Sequence, residues 1–444
     1  MTQMSTSDVV SLFKRVYGDL SDLQPSDFPL AKDIPFSQKQ KVGESYYEAL
    51  VLTNEAGWTL GGSSMDAFDI NPAVAGAVKQ ANVTPYITVL ASVIPWGVIT
   101  RSAGGGEKAF YEATKHVTKN NLKSHGKLQE ILRWHGQAAS LLGYVSYATA
   151  TYRAVSFTNG GGALTINGTS VTFTAGVNTT SKWILLAPGE FAAGIWVGSE
   201  GAIVQQVNSS GTVVGEGALM EVDAEMGAIR VDFTPVAASS TTSHRLCFKG
   251  MGDSKEMVGV NKILSTTSGN LFGVSSTSYS LWRGHVKALA SVKFTLARFQ
   301  EGVAECISRG GLDGDLEVYV NPRTFANLIT TEAGLRKYDS SYSKAEFDTG
   351  AESVTFYHPA GKANIKACRF VKEGNVAGLH LPDWSRSGSS EITFSLPSMG
   401  DQQLIYPLEN QAAMAFRSYA DQYVFCNAPA KSILWTGVND EAAS

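Results

Sequence analysis

The stretch from residue 279 to residue 328 constrains the fold more than any other part of the sequence. Its apolar residues recur at alternating steps of three and four, as they do on one face of an α-helix. They are Trp282, Val286, Leu289, Val292, Leu296, Phe299, Val303 and Cys306. Ser278 can cap such a helix and Gly310-Gly311 can end it. The pattern predicts a helix over 279–309, a buried strand from Glu317 to Val320, and a new helix after Asn321-Pro322.

The composition limits the classes of protein to consider. The chain has 444 residues, of which 43% are hydrophobic and 17% charged, so it can form two or three compact units. Its formal net charge of -4 restricts any contact with nucleic acid to a local surface. The four cysteines contain no C-x-x-C pair, which fits a reducing cytosol. The first residues lack the apolar segment of a signal peptide, and we expect no membrane association.

The first hundred residues predict an arm and a projecting loop. Three prolines interrupt residues 1–45, and its apolar residues, Phe28 and Phe36 among them, favour an arm that lies on a neighbouring molecule. Residues 46–53 and 86–100 are rich in aromatic and β-branched residues, which predicts two strands. The glycine-rich segment between these strands favours a hairpin that reaches another subunit, although an ordinary long loop is the alternative.

A basic helix is predicted after Gly104-Gly105-Gly106, from Glu107 to about Leu142. Gly126 and Gly136 are weak points in it. Six cations lie along this helix, namely Lys108, Lys115, Lys119, Lys123, Lys127 and Arg133. They face either solvent alone or a polyanion.

Residues 151–250 are predicted to form a separate β-rich module. Only 12 of these 100 residues are charged, and turn signals are frequent. One hairpin is legible, in which residues 219–224 and 228–233 alternate around a turn at Met226-Gly227. The pattern is typical of a small β-sandwich or barrel.

The sequence offers no recognisable catalytic, metal or cofactor motif. It has no phosphate-binding loop, no H-E-x-x-H and no G-x-S-x-G. His116 and His125 fall on opposite sides of the basic helix, so they cannot share a metal ion. The carboxylates around Glu221 and Asp232 are expected to be a solvated β-sheet face. We therefore expect no enzyme activity, no metal and no cofactor.

Several of these segments together resemble the major capsid proteins of tailed bacteriophages, the Hong Kong 97-like family. The resemblance rests on Leu316 to Leu328, on Arg417-Ser-Tyr419-Ala-Asp421-Gln422 with the apolar strand Ser432 to Gly437, and on the 219–235 hairpin. The order arm, extended loop, long helix and β-rich domains is also similar.

The resemblance implies an α+β fold with an inserted β-rich module, divided into seven parts. These are an N-terminal arm (1–45), an extended loop (46–103), a spine helix (104–143), peripheral-domain strands with the insertion (144–278), a peripheral helix and strand (279–323), an axial domain (324–403) and return strands (404–444).

It also implies a function, which is self-assembly into the icosahedral head that encloses double-stranded DNA. The implied partners are further copies in hexamers and pentamers, packaged DNA on the inner face, a portal protein and a separate scaffolding protein, with a decoration protein as an open alternative. The location would be the virion, assembled in the host cytoplasm. Some relatives crosslink a lysine of the extended loop, but no motif around Lys79 predicts a crosslink here.

The resemblance also suggests which residues meet partners. Trp58, Phe68, Trp96, Phe28 and Phe36 are candidate subunit-interface anchors, since large aromatic residues carry much of the energy of interfaces. The six cations of the basic helix are candidates for contact with DNA or scaffold. The alternatives are a cellular nanocompartment shell of the same fold and a β-rich tail or adhesin protein. The adhesin alternative leaves the long helices unexplained.

Overall fold

The structure is a computed structural model. It describes residues 27–38, 45–63, 67–96, 107–147, 151–152, 155–156, 161–239, 241–252, 255–332, 353–394, 406–408 and 411–439. Residues 1–26 of the predicted arm lie outside the described part of the chain. So do the side chains of residues 107–116 in the basic helix.

Six α-helices occur among the described residues. They are α1 (Pro29–Asp33), α2 (Glu107–His135), α3 (Ala193–Trp196), α4 (Val260–Ser265), α5 (Leu296–Gly310) and α6 (Pro322–Glu332). Three single-turn 3₁₀ helices occupy Ser280–Trp282, Leu381–Asp383 and Pro429–Lys431.

The strands are numbered in chain order. The first fifteen are β1 (Phe36–Gln38), β2 (Tyr46–Val51), β3 (Val78–Val83), β4 (Tyr86–Pro95), β5 (Gly143–Tyr144), β6 (Thr151–Tyr152), β7 (Val155–Ser156), β8 (Gly161–Ile166), β9 (Thr169–Thr174), β10 (Val177–Asn178), β11 (Trp183–Leu185), β12 (Ile203–Val207), β13 (Val213–Asp223), β14 (Ala228–Val231) and β15 (Arg245–Phe248). The others are β16 (Asn270–Leu271), β17 (Val274–Ser275), β18 (Val286–Val292), β19 (Leu316–Val320), β20 (Ser353–His358), β21 (Gly361–Ala367), β22 (Asn375–Leu379), β23 (Trp384–Thr393), β24 (Tyr406–Pro407), β25 (Ala413–Cys426) and β26 (Ile433–Val438).

Three large sheets organise these strands. The helix-backed sheet has the order β1-β23-β25-β24, with β4 on the other side of β25, and α2 packs across it. The nine-stranded sheet is antiparallel in the order β5-β15-β12-β13-β14-β11-β10-β9-β8. The six-stranded sheet has the order β18-β26-β22-β19-β21-β20 and packs against α5.

Two apolar cores hold most of the chain together. The larger core joins α1, the base of the loop, the end of α2 and half of the nine-stranded sheet, with Leu30, Trp134 and Leu246 among its members. The second core lies between α5 and the six-stranded sheet, around Phe299 and Trp435. The outer half of the nine-stranded sheet has a small cluster of its own.

The helix predicted over 279–309 is wrong in its first half. The structure has a 3₁₀ turn and then β18, which pairs in parallel with β26, and helix begins only at Leu296. A register shift lies between Ala288 and Val292, where Ala290 and Ser291 have positive φ of 51° and 62°. This bulge inserts residues into the strand, so apolar side chains repeat at three-residue spacing without a helix. The end of the helix is confirmed, because Gly311 forms a left-handed cap with φ of 62°.

The basic helix is confirmed but ends earlier than predicted, at His135 and not near Leu142. A Cβ atom on Gly136 would lie 2.0 Å from the carbonyl oxygen of Met257. The next residue, Gln137, has a φ of 53°, which is incompatible with a continuing helix. Gly126 does not interrupt the helix.

The extended loop differs in its strand pairing. β2 pairs with β3 in an antiparallel hairpin, whereas β4 pairs with β25 and belongs to the helix-backed sheet. Pro85 lies between β3 and β4 and separates these two roles. The projecting part is therefore shorter than predicted and runs from residue 46 to residue 83.

Two further expectations are corrected. Residues 161–248 lie in a single open sheet and not in a sandwich or barrel within the described ranges, although the predicted hairpin is present as β13 and β14. Strands from 279–323 and 324–403 do not form separate sheets, because β19 pairs with both β21 and β22. Strands are present at both positions predicted for the return strands, as β25 and β26, but they belong to different sheets and not to one.

No helix among the described residues is both long enough and apolar enough to cross a membrane.

Candidate assembly surfaces

The tip of the extended loop is an apolar surface. Trp58, Leu60, Phe68 and Ile70 have exposed fractions of 80%, 94%, 57% and 81%, and Val74 is also exposed. Large apolar residues at this density are rare on the surface of a monomer and mark interaction sites. We name these five residues the apolar tip.

Local hydrogen bonds hold the apolar tip in shape. The Asn71 side chain donates to the Trp58 carbonyl at 2.8 Å, and its backbone N–H donates to Thr59 Oγ1 at 2.8 Å. Further down, Ala56 N–H donates to the Val74 carbonyl at 3.0 Å. These bonds tie together the two irregular chain segments of the tip.

The Phe68 ring packs over Gly61, which has no side chain. A Cβ atom at Gly61 would lie 2.5 Å from the Phe68 ring, so a larger residue would displace that ring. The absence of a side chain at Gly61 therefore places one aromatic ring on the face of the tip.

The other candidate anchors are placed differently. Trp96 follows β4 at the end of the helix-backed sheet. Its side chain is 49% exposed, and its backbone N–H donates to the Ala412 carbonyl. Phe28 packs within its own chain, against Phe370 at 6.3 Å between ring centroids. Phe36 is half-buried under the Arg386 guanidinium. The structure brings neither Phe28 nor Phe36 near the apolar tip.

The arm segment from residue 28 to residue 38, here called the strap, lies on its own subunit. This corrects the expectation that the described part of the arm rests on a neighbour. Leu30 and Ile34 are buried in the main core, and β1 pairs in parallel with β23. Two backbone N–H groups at the start of α1 donate to the Glu130 carboxylate. Polar groups on α2 thus provide the partners that α1 lacks within itself.

The cations of the basic helix divide by burial along its length. Lys119 is exposed and Lys123 is half-buried. Lys127 donates to the Val197 carbonyl at 2.7 Å and to Ser199 Oγ at 2.6 Å. Burial and then the nearby charge of Arg369 lower the pKa of Lys127 to about 8. Lys108 and Lys115 have side chains outside the described part of the structure.

Arg133 is corrected as a candidate for contact with DNA or scaffold. Its side chain is only 3% exposed and pairs with the fully buried Glu130 at 2.9 Å. A buried cation needs such a partner, because the unpaired charge would be costly to remove from water. The role of Arg133 is therefore inside the subunit.

The buried polar face of α2 escaped the sequence analysis. Asn121, His125, Gln129 and Arg133 repeat every four residues and are at most 3% exposed. They face the helix-backed sheet, where they bond to side chains of β4 and β25. A polar stripe at this spacing is normally a solvated face, so nothing in the sequence pattern indicates its burial.

The reactive groups in the described ranges do not form an accessible site. Cys306 Sγ lies 3.5 Å from His285 Nδ1, and His285 Nε2 lies 2.9 Å from Glu305. Burial raises the pKa of Cys306 to about 12, so it stays a thiol, and both Cys306 and His285 are buried. No group of three or more His, Cys, Asp or Glu residues in the described ranges is placed to hold a metal ion.

The carboxylates of the β13–β14 hairpin are paired with cations. Glu221 pairs with Arg230 at 3.2 Å, and Asp232 pairs with Lys182 at 3.2 Å. These are exposed surface ion pairs, as a solvated sheet face would have.

Comparison with known proteins gives a structural answer only. No family model matches the sequence, and no curated protein matches it. Among solved structures, the Cyanophage A-1(L) capsid asymmetric unit is similar with a TM-score of 0.52 at 10% identity, over 95% of this chain and 95% of that chain.

The chain has the fold of a phage capsid subunit. Two further similar structures are the capsid of a native GTA particle (TM-score 0.44, 8% identity, 96% of this chain and 94% of that chain) and the mature capsid of bacteriophage PhiM1 (TM-score 0.42, 9% identity, 95% and 90%). The assignment rests on the cyanophage capsid, whose TM-score exceeds 0.5. The predicted α+β, Hong Kong 97-like fold class is confirmed. The status of the β-rich module as an insertion stays a prediction.

Proposed function

We propose that this chain is the major capsid protein of a tailed bacteriophage and that copies of it assemble into the icosahedral shell around double-stranded DNA. The observation that carries the proposal is the similarity to a cyanophage capsid subunit over 95% of both chains. The virion is the corresponding location, with assembly in the host cytoplasm.

The apolar tip supports self-association. Burying one large apolar side chain contributes about 2 kcal/mol, and a shell repeats each contact in every subunit. We infer that the apolar tip is buried against a second copy within hexamers and pentamers. Trp96 is proposed as a further interface residue because it is half-exposed at the end of β4.

The described lysines of α2 that are not buried, Lys119, Lys123 and Lys127, are proposed to face packaged DNA or a separate scaffolding protein, together with Lys108 and Lys115. A portal protein and a decoration protein complete the proposed partners.

Size-exclusion chromatography of the purified full chain, under a range of salt and crowding conditions, tests the assembly proposal. We expect large assemblies in at least part of this range. A compact monomer under every condition would contradict it.

A second experiment tests the basic surface. Lys119 and Lys123 are replaced by Gln, and binding of linear double-stranded DNA is measured against salt concentration. We expect the slope of log affinity against log salt to decrease by about two. Lys182→Gln, which removes a cation paired with Asp232 on another sheet, should leave the slope unchanged. Equal slopes for both variants would remove DNA from the proposal.

A further inference from the structure

A continuous chain of hydrogen bonds runs through the buried polar face of α2. It begins at the strap. Leu30 N–H donates to Glu130 Oε1 at 2.8 Å, and Ala31 N–H donates to Glu130 Oε2 at 3.3 Å. Arg133 donates to the same carboxylate at 2.9 Å. One end of the chain is therefore the backbone of the arm.

A second arginine, on the helix-backed sheet, also hydrogen-bonds to the strap. Arg386 on β23 donates from Nε to the Ile34 carbonyl at 3.0 Å and from Nη2 to the Ala31 carbonyl at 3.4 Å. The strap is thus held by a carboxylate at its N–H groups and by a guanidinium at its carbonyl groups.

Both arginines converge on Gln422 of β25. Arg133 Nη2 lies 3.3 Å and Arg386 Nη1 lies 3.4 Å from Gln422 Oε1. The amide nitrogen of Gln422 then donates to Gln129 Oε1 at 2.6 Å. Gln422 is fully buried and belongs to the Asp421-Gln422 pair that the sequence analysis singled out.

From Gln129 the chain continues to the extended loop. Gln129 Nε2 donates to Thr88 Oγ1 on β4, and Thr88 Oγ1 lies 2.8 Å from His125 Nε2. His125 Nδ1 lies 2.8 Å from Ser418 Oγ, which in turn donates to the Leu90 carbonyl of β4 at 3.5 Å. The other end of the chain is therefore the strand that leads out of the loop.

The two arginines fix the direction of the bonds from Gln422 to Thr88. A guanidinium only donates, so the oxygen of Gln422 must face the arginines and its NH2 group must face Gln129. Gln129 then presents its own NH2 group to Thr88. The Thr88 hydroxyl hydrogen is left to donate to His125 Nε2, so the proton of the neutral His125 ring lies on Nδ1 and points at Ser418.

We propose that Gln422 is a coupling junction, through which the position of the strap and the position of strand β4 depend on each other. The Gln422 amide can accept from both arginines at its oxygen while its NH2 group donates onward. A buried donor or acceptor that loses its partner is costly, so a change at one end is felt along the chain. This coupling goes beyond the proposed function and belongs to the single chain, whether or not that chain forms a shell.

The test is amide hydrogen exchange of the full chain, measured at the strap. Thr88→Val removes the hydroxyl at the loop end and keeps the side-chain shape. We expect exchange at Leu30 and Ala31 to become at least about threefold faster, although Thr88 touches neither residue. The matched control is Thr84→Val, because the exposed Thr84 hydroxyl bonds to Ser45 and is not part of the hydrogen-bond chain. This control should leave exchange at the strap unchanged.

The junction itself is tested with Gln422→Met, which keeps length and volume but neither accepts nor donates strongly. In this background Thr88→Val should change exchange at the strap by less than about 1.5-fold, because the path is already cut. Coupling through Gln422 is overturned if Thr88→Val acts equally in both backgrounds, or acts no more than Thr84→Val.

The tautomer of His125 provides a measurement that is made on the wild-type protein. Nitrogen-15 NMR of histidine-labelled protein at pH 7, with His125→Gln to assign the signal, should show the proton on Nδ1. A proton on Nε2 would reverse the deduced direction and overturn the chain on which the proposal rests.

Discussion

The apolar tip and the buried face of α2 are opposites in composition and surroundings. The tip exposes Trp58 and Leu60 to solvent at 80% and 94%, whereas the α2 face buries His125 and Gln129 completely. The side chains of His125, Gln129 and Arg133 find hydrogen-bond partners inside the same chain. The apolar side chains of the tip find no partner that buries them among the described residues. The buried polar groups of α2 are therefore stabilised within one chain, whereas the apolar tip remains exposed and is available for contact with a second copy.

The largest expected effect comes from removing the apolar tip. Trp58, Leu60 and Phe68 are replaced together by Ser. Each loses about 2 kcal/mol of burial in the assembled state, so the concentration needed for assembly should rise by far more than tenfold. The subunit's own free energy of unfolding should change by less than about 0.5 kcal/mol, since these residues stabilise nothing internally.

Light scattering measures assembly, and urea titration measures the stability of the subunit. The triple variant Val213→Ser, Met220→Ser and Val236→Ser is the control, because it removes exposed apolar residues elsewhere on the nine-stranded sheet and its flank. If both triple variants assemble equally well, the apolar tip is not an interface.

The next effect concerns the stability of the buried face. Arg133→Met leaves the Glu130 carboxylate buried without its cation, which should lower the free energy of unfolding by about 3–5 kcal/mol. Adding Glu130→Leu removes the unpaired charge and should restore part of the free energy of unfolding that Arg133→Met loses. The single variants alone cannot show that the two side chains act as a pair. A double variant as unstable as the sum of two independent losses would refute this pairing. Urea titration monitored by circular dichroism gives both values.

Acid should weaken the buried face and spare the tip. Burial and then the charge of Arg133 lower the pKa of His125 to about 4, and burial and then the charge of Lys372 lower that of His135 to about 3. Both values lie below the ordinary 6.5, so below pH 6.5 the unfolded chain binds protons that the folded chain refuses. This stabilisation is fully present above pH 6.5 and is lost as pH falls toward 4 and 3.

For His125 the loss should reach on the order of 3 kcal/mol near pH 4. Unfolding titrations of wild type and His125→Gln between pH 7 and pH 4 give its share. The half-buried His358 lies on a hairpin, and His358→Gln should remove much less of the pH dependence. Identical slopes for the wild type and the His125 variant would contradict the assignment.

The smallest effect sharpens the geometry of the tip. Gly61→Ala would place a Cβ atom against the Phe68 ring and force that ring to move. Assembly should weaken by a few-fold, about 1 kcal/mol for a misplaced aromatic contact, while the stability of the subunit stays the same. Gly62→Ala is not a suitable control, because Gly62 has a φ of 65° and a side chain there would strain the backbone. Ser63→Ala is therefore the neighbouring control. A Gly61→Ala variant that assembles normally would show that Phe68 needs no fixed position.

The surroundings of the apolar tip and of the buried α2 face differ in how far they can be predicted from the sequence. Trp58 and Phe68 stand in a glycine-rich segment between two predicted strands, which made them candidate interface residues, with burial in a core as the equal alternative. The burial of the polar residues of α2 was not predictable, because their partners Thr88, Ser418 and Gln422 come from strands far away in sequence. A polar stripe looks the same whether water or a buried amide satisfies it.

The error over 279–309 has a similar cause. Periodicity at three and four residues normally indicates a helix, but a bulge at Ala290 and Ser291 produces the same spacing in β18. Pairing with β26, more than 140 residues later, decides for the strand. Local pattern was sufficient for α5, which begins at Leu296 and ends at its glycine cap, and for β19, a short run of mostly buried apolar residues.

Cryo-electron microscopy can show whether the apolar tip is an interface between copies in a shell. The sample is the product formed by the purified full-length chain, with a scaffolding protein added if shells do not form alone. We expect closed shells of hexamers and pentamers in which Trp58 and Leu60 are buried against a second copy. Shells in which the apolar tip remains in solvent, or a chain that never forms shells, would contradict it.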